Sequence, residues 1–381
     1  MESGHVGRQK AGMLQKEAEM AKSKQKKVLT ALSLQGGGAL GAYEYGMLKA
    51  LYVKRGKTFR PRVVTGVSIG AINAAFLVGA KGDPIEALDT LWRERLCVTW
   101  PAPSCTMPEA MSPAHPWMPF MDLTAQNLSV FGNPGMYSLK PEFYMLPWIA
   151  PMRNTSIYDT AALKKTLEEF VDPRKLNRPD ITRIIVTAVN VETGGQARFD
   201  NAKATLTFDH IIASGSFPVT FPMTRIGEEY YWDGGIFFNM PVGAAVNALE
   251  QIETDNPDVE REIILVELHR MQSRLPKTLQ EATERFFNLI FSGKFAMDIK
   301  LKDKYDAFVD LMHEIDKTLP AGSPIRNHPG YRDLIRHRKM DRVIVVGEGG
   351  IGAVGSTGDF SRKTLNQRID AGFSDAMSLL G

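Results

Sequence analysis

The fold prediction rests on two stretches near the start of the chain, VLTALSLQGGGALG at residues 28–41 and RVVTGVSIGAINAAFLVGA at residues 62–80. Each begins with a short β-type run, passes through a glycine-containing turn and ends in a segment compatible with a helix. Residues 69–80 are apolar on every side, which predicts a helix that is buried all round. Alternating strands and helices are typical of a parallel sheet covered by helices, so the sequence predicts an α/β fold.

Further segments have the composition of strands and helices. Amphipathic helices are predicted between residues 268 and 342 and in the C-terminal tail. One apolar stripe is expected to face the core, and its members are Leu301, Tyr305, Phe308, Met312, Ile315 and Leu319. The other predicted elements are a helix over residues 157–171 and strands over residues 183–191, 204–208, 230–232, 263–268 and 342–346.

Composition excludes several classes of protein. The 381 residues are 44% hydrophobic and 23% charged, which are ordinary globular values and exclude disordered, collagenous and coiled-coil chains. A net charge of only +3 argues against a nucleic-acid partner. The two cysteines, Cys97 and Cys105, are too few for a disulfide scaffold and lack metal-ligand spacing. No apolar run is long enough to span a bilayer, so a cytoplasmic location is expected, with contact to a membrane or lipid surface left open.

The chain is predicted to have three parts. Residues 1–27 carry seven Lys/Arg against three Asp/Glu and are expected to form a flexible basic leader, with attraction to anionic lipid as the alternative. Residues 28–260 form the predicted main domain, and residues 261–381 a C-terminal extension packed on it. Residues 100–151 contain ten prolines among many methionines and aromatic residues, which forbids long helices. They are interpreted as an insert that packs over the core or acts as an apolar cap or lid.

Ser68 is the first candidate for chemistry. It lies in Gly66-Val67-Ser68-Ile69-Gly70, between a predicted strand and a buried helix. A serine on such a sharp turn needs small neighbours, and its Oγ is exposed above the sheet at a helix N-terminus, where negative charge is favoured. The context predicts a nucleophile, and an ordinary turn serine is the alternative.

Consecutive glycines form the second candidate, at residues 36–38. Glycines at such a turn let main-chain N–H groups point into a concavity that binds anions, including a tetrahedral oxyanion. Gly36, Gly38 and Gly41 also match the dinucleotide fingerprint, so an NADP-binding Rossmann protein is an alternative. Against it, residues 54–62 are basic where the fingerprint expects an acidic residue.

Asp233 is the third candidate, because it follows three aromatic residues and precedes Gly234 and Gly235. A general base must be ionised and yet basic enough to accept a hydroxyl proton, and apolar surroundings raise the pKa of a carboxyl group in that direction. The sequence therefore predicts a base here, with a plain Asp-Gly turn as the alternative.

A histidine is the usual partner of a serine nucleophile. The order Ser68, Asp233, His269 copies the chain order of α/β-hydrolase triads, so a Ser-Asp-His esterase is an alternative mechanism. Nothing glycine-like shapes the turn after His269, and a surface or structural histidine is the favoured interpretation.

The glycine turn, the G-x-S-x-G serine and the D-G-G aspartate occur in an order that resembles the patatin-like phospholipase family, in particular a bacterial subset with a C-terminal extension. The resemblance covers about residues 28–250, and Ser214-Gly215-Ser216-Phe217-Pro218 also resembles the family segment before the aspartate strand. Many family members have Arg where this chain has Leu40, so stabilisation from that guanidinium group is absent.

The resemblance implies a three-layer α/β/α domain with a mostly parallel central sheet, followed by a helical extension. It implies hydrolysis of lipid acyl esters by a Ser–Asp dyad without histidine, metal or cofactor, and leaves the ester class and oligomeric state open. A non-catalytic lipid-binding protein on the same scaffold is a further alternative. The implied roles are nucleophile for Ser68, base for Asp233, oxyanion-hole donors for Gly37 and Gly38 with Gly36, and motif support for Gly41, Gly66, Gly70, Gly234 and Gly235.

Overall fold

A mixed eight-stranded sheet lies at the centre of the protein. The computed structural model describes residues 26–98, 132–253, 256, 258–269, 271–347 and 357–380. The strands of the central sheet are β1 (Lys27–Leu34), β2 (Val63–Gly66), β6 (Arg183–Asn190), β7 (Gln196–Asp200), β8 (Thr224–Ile226), β9 (Glu229–Asp233), β10 (Val259–Val266) and β11 (Arg342–Val346). A small second sheet contains β3 (Gly132–Asn133), β4 (Tyr137–Leu139) and β5 (Tyr158–Asp159).

The strand order is β11-β10-β1-β2-β6-β9-β8, with β7 also paired to β6. The run from β11 to β6 is parallel, whereas β7, β8 and β9 join by antiparallel pairing. The neighbour of β1 on one side is β2, the next strand along the chain, whereas its neighbour on the other side is β10 from the second half of the chain. Ligands of such sheets bind at the carboxyl ends of the strands beside this kind of switch point.

Helices cover both faces of the sheet. Those of the first half are α1 (Gly41–Arg55), α2 (Ile69–Gly79), α3 (Pro84–Thr90), α4 (Pro141–Met145), α5 (Ala150–Arg153), α6 (Ala161–Phe170) and α7 (Pro173–Leu176). Those of the second half are α8 (Phe208–Ser214), α9 (Val242–Glu250), α10 (Leu279–Thr318), α11 (Pro329–Leu334) and α12 (Arg362–Leu379). Short 3₁₀ or π turns occupy Gly38–Leu40, Leu91–Arg95, Gly234–Ile236 and Pro324–Asn327.

The core has two parts because successive side chains of a strand point to opposite faces. In β1, Leu32 and Leu34 pack with α1, α2 and α12, whereas Leu29 and Ala31 pack with α9 and Phe295 of α10. The other parallel strands alternate in the same way, which accounts for their nearly continuous apolar sequences. The predicted α/β/α layers, mostly parallel sheet and helical C-terminal region are confirmed.

Two predictions of local structure were wrong. Residues 204–208 do not form a strand; residues 196–200 pair with β6 instead, and a capping box at Thr207 begins α8. The core-facing stripe on α10 was wrong for Leu301, Phe308 and Ile315, which are exposed, whereas Met312 of the same stripe is buried together with Phe295 and Val309. Helical periodicity shows that one stripe is apolar, but not which of two adjacent stripes meets the core.

The predicted boundary between the main domain and the C-terminal extension lies within a strand. The boundary expected after residue 260 falls inside β10, which pairs with β1 along its whole length. Residues 1–25 of the predicted leader and residues 99–131 of the predicted cap lie outside the described residues. Within the described ranges, no helix is both long and apolar enough to cross a membrane.

Glycines let α1 and α12 pack with their backbones in contact. A Cβ on Gly46 would lie 2.0 Å from the carbonyl oxygen of Ile369, and one on Gly372 would lie 2.1 Å from that of Tyr43. We therefore expect Gly46→Ala to lower the free energy of unfolding by about 1–3 kcal/mol or more, measured by urea denaturation. Gly293→Ala is the matched control, because a Cβ at this position meets nothing within 4 Å. This substitution should stabilise α10 by about 0.5–1 kcal/mol, since alanine favours the helix more than glycine does. Equal effects of the two substitutions would contradict this account of the packing.

Candidate active site

Ser68 lies on a strained turn between β2 and α2. Its backbone has φ 55° and ψ −126°, a conformation that L-residues rarely adopt. The turn closes only around small neighbours, since a Cβ on Gly66 would lie 2.5 Å from the carbonyl oxygen of Gly70, and one on Gly70 would lie 2.6 Å from that of Leu34. Strain of this kind persists where the surrounding contacts hold it, and here it leaves the Ser68 side chain half-exposed at a helix N-terminus.

Asp233 ends β9 and is almost completely buried. Its Oδ1 accepts a hydrogen bond of 2.7 Å from the N–H of Gly235. A Cβ on Gly234 would lie 2.5 Å from the carbonyl oxygen of Thr187 on β6, so only glycine allows this close approach. The D-G-G motif thus turns the chain sharply, and the N–H of Gly235 fixes Oδ1 of Asp233.

One short segment connects the two turns. The N–H of Ser68 donates to the carbonyl oxygen of Ser214 over 3.0 Å, and the N–H of Asp233 donates to that of Ser216 over 2.9 Å. The strand register is consistent with these hydrogen bonds. In β6, Val186 pairs with Gly66 of β2, and Ala188 pairs with Asp233 of β9. Ser68 and Asp233 are therefore brought to the same level of the sheet.

Burial dominates the electrostatics of Asp233. Loss of solvation raises the pKa of Asp233 to about 7, while the nearby Ser68 hydroxyl, the Gly235 N–H and the charge of Lys294 lower it by smaller amounts. Among the described residues, Oδ2 of Asp233 has no hydrogen-bond partner that meets standard geometry. The Ser68 hydroxyl is close enough to favour the ionised form but makes no bond of normal length and angle, and such bonds often tighten only when substrate is present.

The glycine turn faces Ser68, since a Cβ on Gly36 would lie 3.0 Å from Cβ of Ser68. Gly36 itself is held at both polar groups: its N–H donates to the carbonyl oxygen of Asn239 over 3.2 Å, and its carbonyl oxygen accepts from Nδ2 of Asn239 over 3.0 Å. The N–H groups of Gly37 and Gly38 have no acceptor among the described residues. Gly38 has a φ of 57°, in the left-handed region that favours glycine. Gly36, whose N–H is engaged, is thus the glycine next to Ser68, and the two N–H groups without an acceptor among the described residues follow it in the same turn.

A buried carboxyl group that sequence analysis missed supports the start of this turn. Oε1 of Glu44 accepts from the N–H of Gln35 over 2.7 Å, and Oε2 accepts from Nδ2 of Asn73 over 2.9 Å. Burial raises the pKa of Glu44 to about 8, so the group is protonated at neutral pH. Its position among apolar residues of α1 is the one signal in the sequence, and that signal does not reveal its partners. Close by, a Cβ on Gly41 would lie 2.5 Å from Cγ1 of Ile69.

His269 lies near the site but faces the glycine turn. Nε2 is 2.8 Å from the carbonyl oxygen of Gly36, and Nδ1 is 2.9 Å from the side-chain amide of Asn288 on α10. The ring is fully buried, which lowers its pKa and keeps it neutral. Both ring nitrogens therefore have partners other than Ser68 and Asp233, and the triad alternative is not supported.

Lys294 of α10 is a further neighbour that sequence analysis missed. Its Nζ donates to the carbonyl oxygen of Gly235 over 3.0 Å and also to that of Ile236. Partial burial lowers the pKa of Lys294, and the charge of Asp233 opposes that shift. No local sequence pattern predicts this contact, because 59 positions separate Lys294 from Gly235.

The fold and these turns define an α/β protein with a serine on a strand-to-helix elbow, a buried carboxyl group that ends a neighbouring strand and a glycine turn that faces the serine. The family model for patatin-like phospholipase matches residues 32–246. This match covers more than half of the chain, which therefore belongs to the patatin-like phospholipase family, a family of lipid hydrolases.

Comparison with other proteins adds little detail. None of the proteins with curated descriptions matches the chain. Among solved structures, VipD from Legionella pneumophila is similar at 15% identity and TM-score 0.38, over 93% of this chain and 67% of that one. ExoU from Pseudomonas aeruginosa, solved with SpcU, is similar at 20% identity and TM-score 0.27, over 68% of this chain and 48% of ExoU. This chain thus spans about half to two thirds of the length of those chains.

The raised pKa of Asp233 predicts a stability difference that depends on pH. Below about pH 4 the carboxyl group is protonated in both the folded and the unfolded chain; as pH rises it ionises first in the unfolded chain, so folding loses stability until about pH 7. We expect the free energy of unfolding of the native protein, relative to Asp233→Asn, to fall by up to about 4 kcal/mol between pH 4 and pH 8. Urea titrations of both proteins at each pH measure this difference, and Glu44 contributes equally to both. A constant difference across this range would show that Asp233 titrates normally.

Proposed function

We propose that the protein is a serine acyl hydrolase that cleaves lipid acyl esters with Ser68 and Asp233 as a catalytic dyad. Asp233 accepts the hydroxyl proton of Ser68, and Oγ attacks the ester carbonyl carbon. The tetrahedral intermediate collapses, the alcohol leaves with a proton returned by Asp233, and an acyl-enzyme remains. Water, deprotonated by the same carboxylate, then attacks the acyl-enzyme and releases the carboxylic acid.

The observation that carries the proposal is the environment of Asp233. An exposed aspartate is too weak a base to take a serine proton, whereas a pKa of about 7 makes Asp233 a much better acceptor at neutral pH. Its Oδ1 is held by Gly235, and its Oδ2 has no partner among the described residues. An unpaired, buried oxygen beside the Ser68 hydroxyl is suited to accept that proton.

The amide donors support the second half of the mechanism. Negative charge develops on the former carbonyl oxygen in the transition state, and preorganised N–H groups stabilise it without reorganisation. We assign this role to the N–H groups of Gly37 and Gly38, which lack acceptors among the described residues. Gly36 has a structural role in the proposal, because its N–H already donates to Asn239.

Apolar side chains around the site support a lipid substrate. Phe237 and Phe238 follow the D-G-G turn and are exposed, and Val219 is exposed on the loop after Ser216. Phe217 on that loop contacts Phe287 of α10, with ring centroids 6.0 Å apart. Exposed apolar groups close to a polar reaction centre are suited to bind an acyl chain whose ester lies at Ser68.

A second apolar surface supports contact with a lipid surface. Tyr144, Met145, Trp148 and Met152 lie on and between α4 and α5, and each has more than half of its side chain exposed. Trp and Met are suited to insertion at a lipid interface because they are large and adaptable. We include binding at a lipid surface in the proposal; Tyr144, Met145 and Trp148 belong to the predicted cap, and Met152 directly follows it.

A nucleotide-binding alternative gains no support from the glycine turn. The Rossmann turn binds pyrophosphate through a helix N-terminus and close backbone approach. Here a Cβ on Gly38 would lie 2.4 Å from the carbonyl oxygen of Thr357, so that glycine is needed for contact with the protein's own chain.

The dyad predicts that two substitutions remove activity. A purified protein should hydrolyse p-nitrophenyl acyl esters or phospholipids, and Ser68→Ala and Asp233→Asn should each lower kcat/KM by at least about 10³-fold. A fluorophosphonate should label Ser68 in the native protein but not in Ser68→Ala. The kcat/KM profile of the native protein should rise with pH through about 7 as Asp233 ionises. Full turnover by Asp233→Asn would rule out the dyad, and lipid binding without turnover would support the non-catalytic alternative.

Contact with a lipid surface predicts an effect of the exposed tryptophan. Trp148 has 88% of its surface exposed, so Trp148→Ala should weaken binding to phosphatidylcholine–phosphatidylglycerol vesicles several-fold in a flotation assay. Hydrolysis of a water-soluble short-chain ester should not change. Val53→Ala on α1 is the control, since it removes an exposed apolar group elsewhere. Equal binding by the native protein and both variants would exclude this surface as the lipid contact.

A further inference from the structure

The N-terminal half of α10 and the chain before it contact both turns of the site. His269, just after β10, bonds to Gly36 of the glycine turn and to Asn288 of α10. Lys294, six positions further along α10, bonds to Gly235 and Ile236 of the D-G-G turn. All three side chains lie beyond the residues that the family model matches.

We propose that residues 268–269 and 288–294 clamp the glycine turn and the D-G-G turn in register, with His269 and Lys294 as positioning residues. The inference rests on the proposed hydrolase function and deepens it, because it gives the C-terminal region a part in the same site. Neither residue touches the reacting atoms in this proposal.

The hydrogen bonds of His269 define its protonation. The carbonyl oxygen of Gly36 can only accept, so Nε2 of the neutral ring carries the proton and Nδ1 must accept. The atom of Asn288 placed 2.9 Å from Nδ1 is Oδ1, so this tautomer requires the amide to be flipped until its NH₂ group faces Nδ1. The ring also packs on Phe291 with a centroid distance of 4.9 Å, which fixes its plane.

This ring holds the peptide that carries the first oxyanion donor. The carbonyl oxygen of Gly36 and the N–H of Gly37 belong to one planar peptide group, so fixing one fixes the direction of the other. Leu268 adds a second contact, since its N–H donates to Oε1 of Gln35 over 2.6 Å. A Cβ on Gly37 would lie 3.0 Å from Cδ1 of Leu268, so the turn packs directly against this segment.

Lys294 fixes the other turn in a similar way. Gly235 is held at both polar groups, because its N–H donates to Oδ1 of Asp233 and its carbonyl oxygen accepts from Nζ of Lys294. The carboxylate of Asp233 is thereby oriented through Gly235. Phe291 lies under the ammonium group, with Nζ 5.5 Å from the ring centroid.

The position of Lys294 also has an electrostatic consequence. Lys294 is the charged side chain that acts on Asp233 among the described residues, and the other polar groups acting on it are the Ser68 hydroxyl and the Gly235 N–H. Its positive charge favours the ionised form of Asp233. Without it, Asp233 should require a higher pH to ionise.

A rigid helix connects the two contacts. Asn288 and Lys294 lie in the same α-helix, so their Cα atoms are separated by roughly 9 Å along the helix axis. Such a fixed spacing holds the amide donors and the base at a constant separation. Rotation or loss of α10 should therefore disturb both parts of the site together.

The first test compares Lys294→Met with Lys294→Arg. The rising limb of the kcat/KM profile should move to higher pH in Lys294→Met, with a loss of about 10-fold at pH 6.5 that becomes small at pH 9. Lys294→Arg keeps the charge and should restore most of the native profile. Lys300→Met is the matched control, because Lys300 is an exposed lysine of the same helix and should leave the profile unchanged.

The second test compares His269→Ala with His269→Gln. The alanine variant should lose about 10–100-fold in kcat, with KM and the pH profile nearly unchanged, because a hydrogen bond that orients the oxyanion donor is lost. Glutamine retains an N–H donor for Gly36 and should recover most of this loss. A histidine that acts as a triad base would be inactive in both variants.

Hydrogen–deuterium exchange tests the clamp independently of activity. Amides of residues 234–238 should exchange faster in Lys294→Met, and those of residues 36–39 faster in His269→Ala, while thermal midpoints stay close to that of the native protein. Native exchange at both turns, together with a native pH profile in Lys294→Met, would overturn the inference. A native protein that neither hydrolyses esters nor is labelled at Ser68 would instead overturn the proposed function, and the exchange data would still decide whether the clamp exists.

Discussion

The distance between the turns that carry Ser68 and Asp233 depends on two backbone hydrogen bonds to the segment of residues 214–216. The carbonyl oxygen of Ser214 accepts from the N–H of Ser68, and that of Ser216 accepts from the N–H of Asp233. Ser214 and Ser216 are themselves fully buried, so this segment has little freedom to move. Because the strained turn at Ser68 cannot relax without breaking one of these bonds, the rest of the site is arranged around a fixed distance between hydroxyl and carboxyl groups.

Burial of a carboxyl group costs solvation free energy, and this protein buries two of them close to the candidate site. Glu44 is protonated at neutral pH and joins the glycine turn to the buried helix α2 through Asn73. Burial also raises the pKa of Asp233, to about 7, against the opposing effects of the Ser68 hydroxyl, the Gly235 N–H and the charge of Lys294. Desolvation thus raises the pKa of both carboxyl groups, although hydrogen-bond donors act on each of them.

Local patterns explain which predictions succeeded. The strands β1, β6 and β11 are continuous apolar runs bounded by breakers, and α2 is apolar on every side, so each was predicted close to its observed bounds. The strand expected at residues 204–208 was wrong because its apolar residues pack at the start of a helix, which a short run does not reveal. The stripe on α10 was right for Met312 but wrong for Leu301 and Phe308, because the orientation of the helix depends on the neighbouring layer. Roles of Ser68, Asp233 and the glycines stay predictions that the geometry supports.

The fold class, the family and the positions of the three turns follow from the sequence, because each depends on residues that are adjacent along the chain. The three-dimensional structure was needed to show that Gly36 is engaged while Gly37 and Gly38 have no acceptor among the described residues, that His269 faces a carbonyl oxygen rather than Ser68, and that Lys294 reaches the D-G-G turn. These contacts join residues that are tens to hundreds of positions apart. They depend on how layers pack and which groups lose water, and neither property is a function of local sequence.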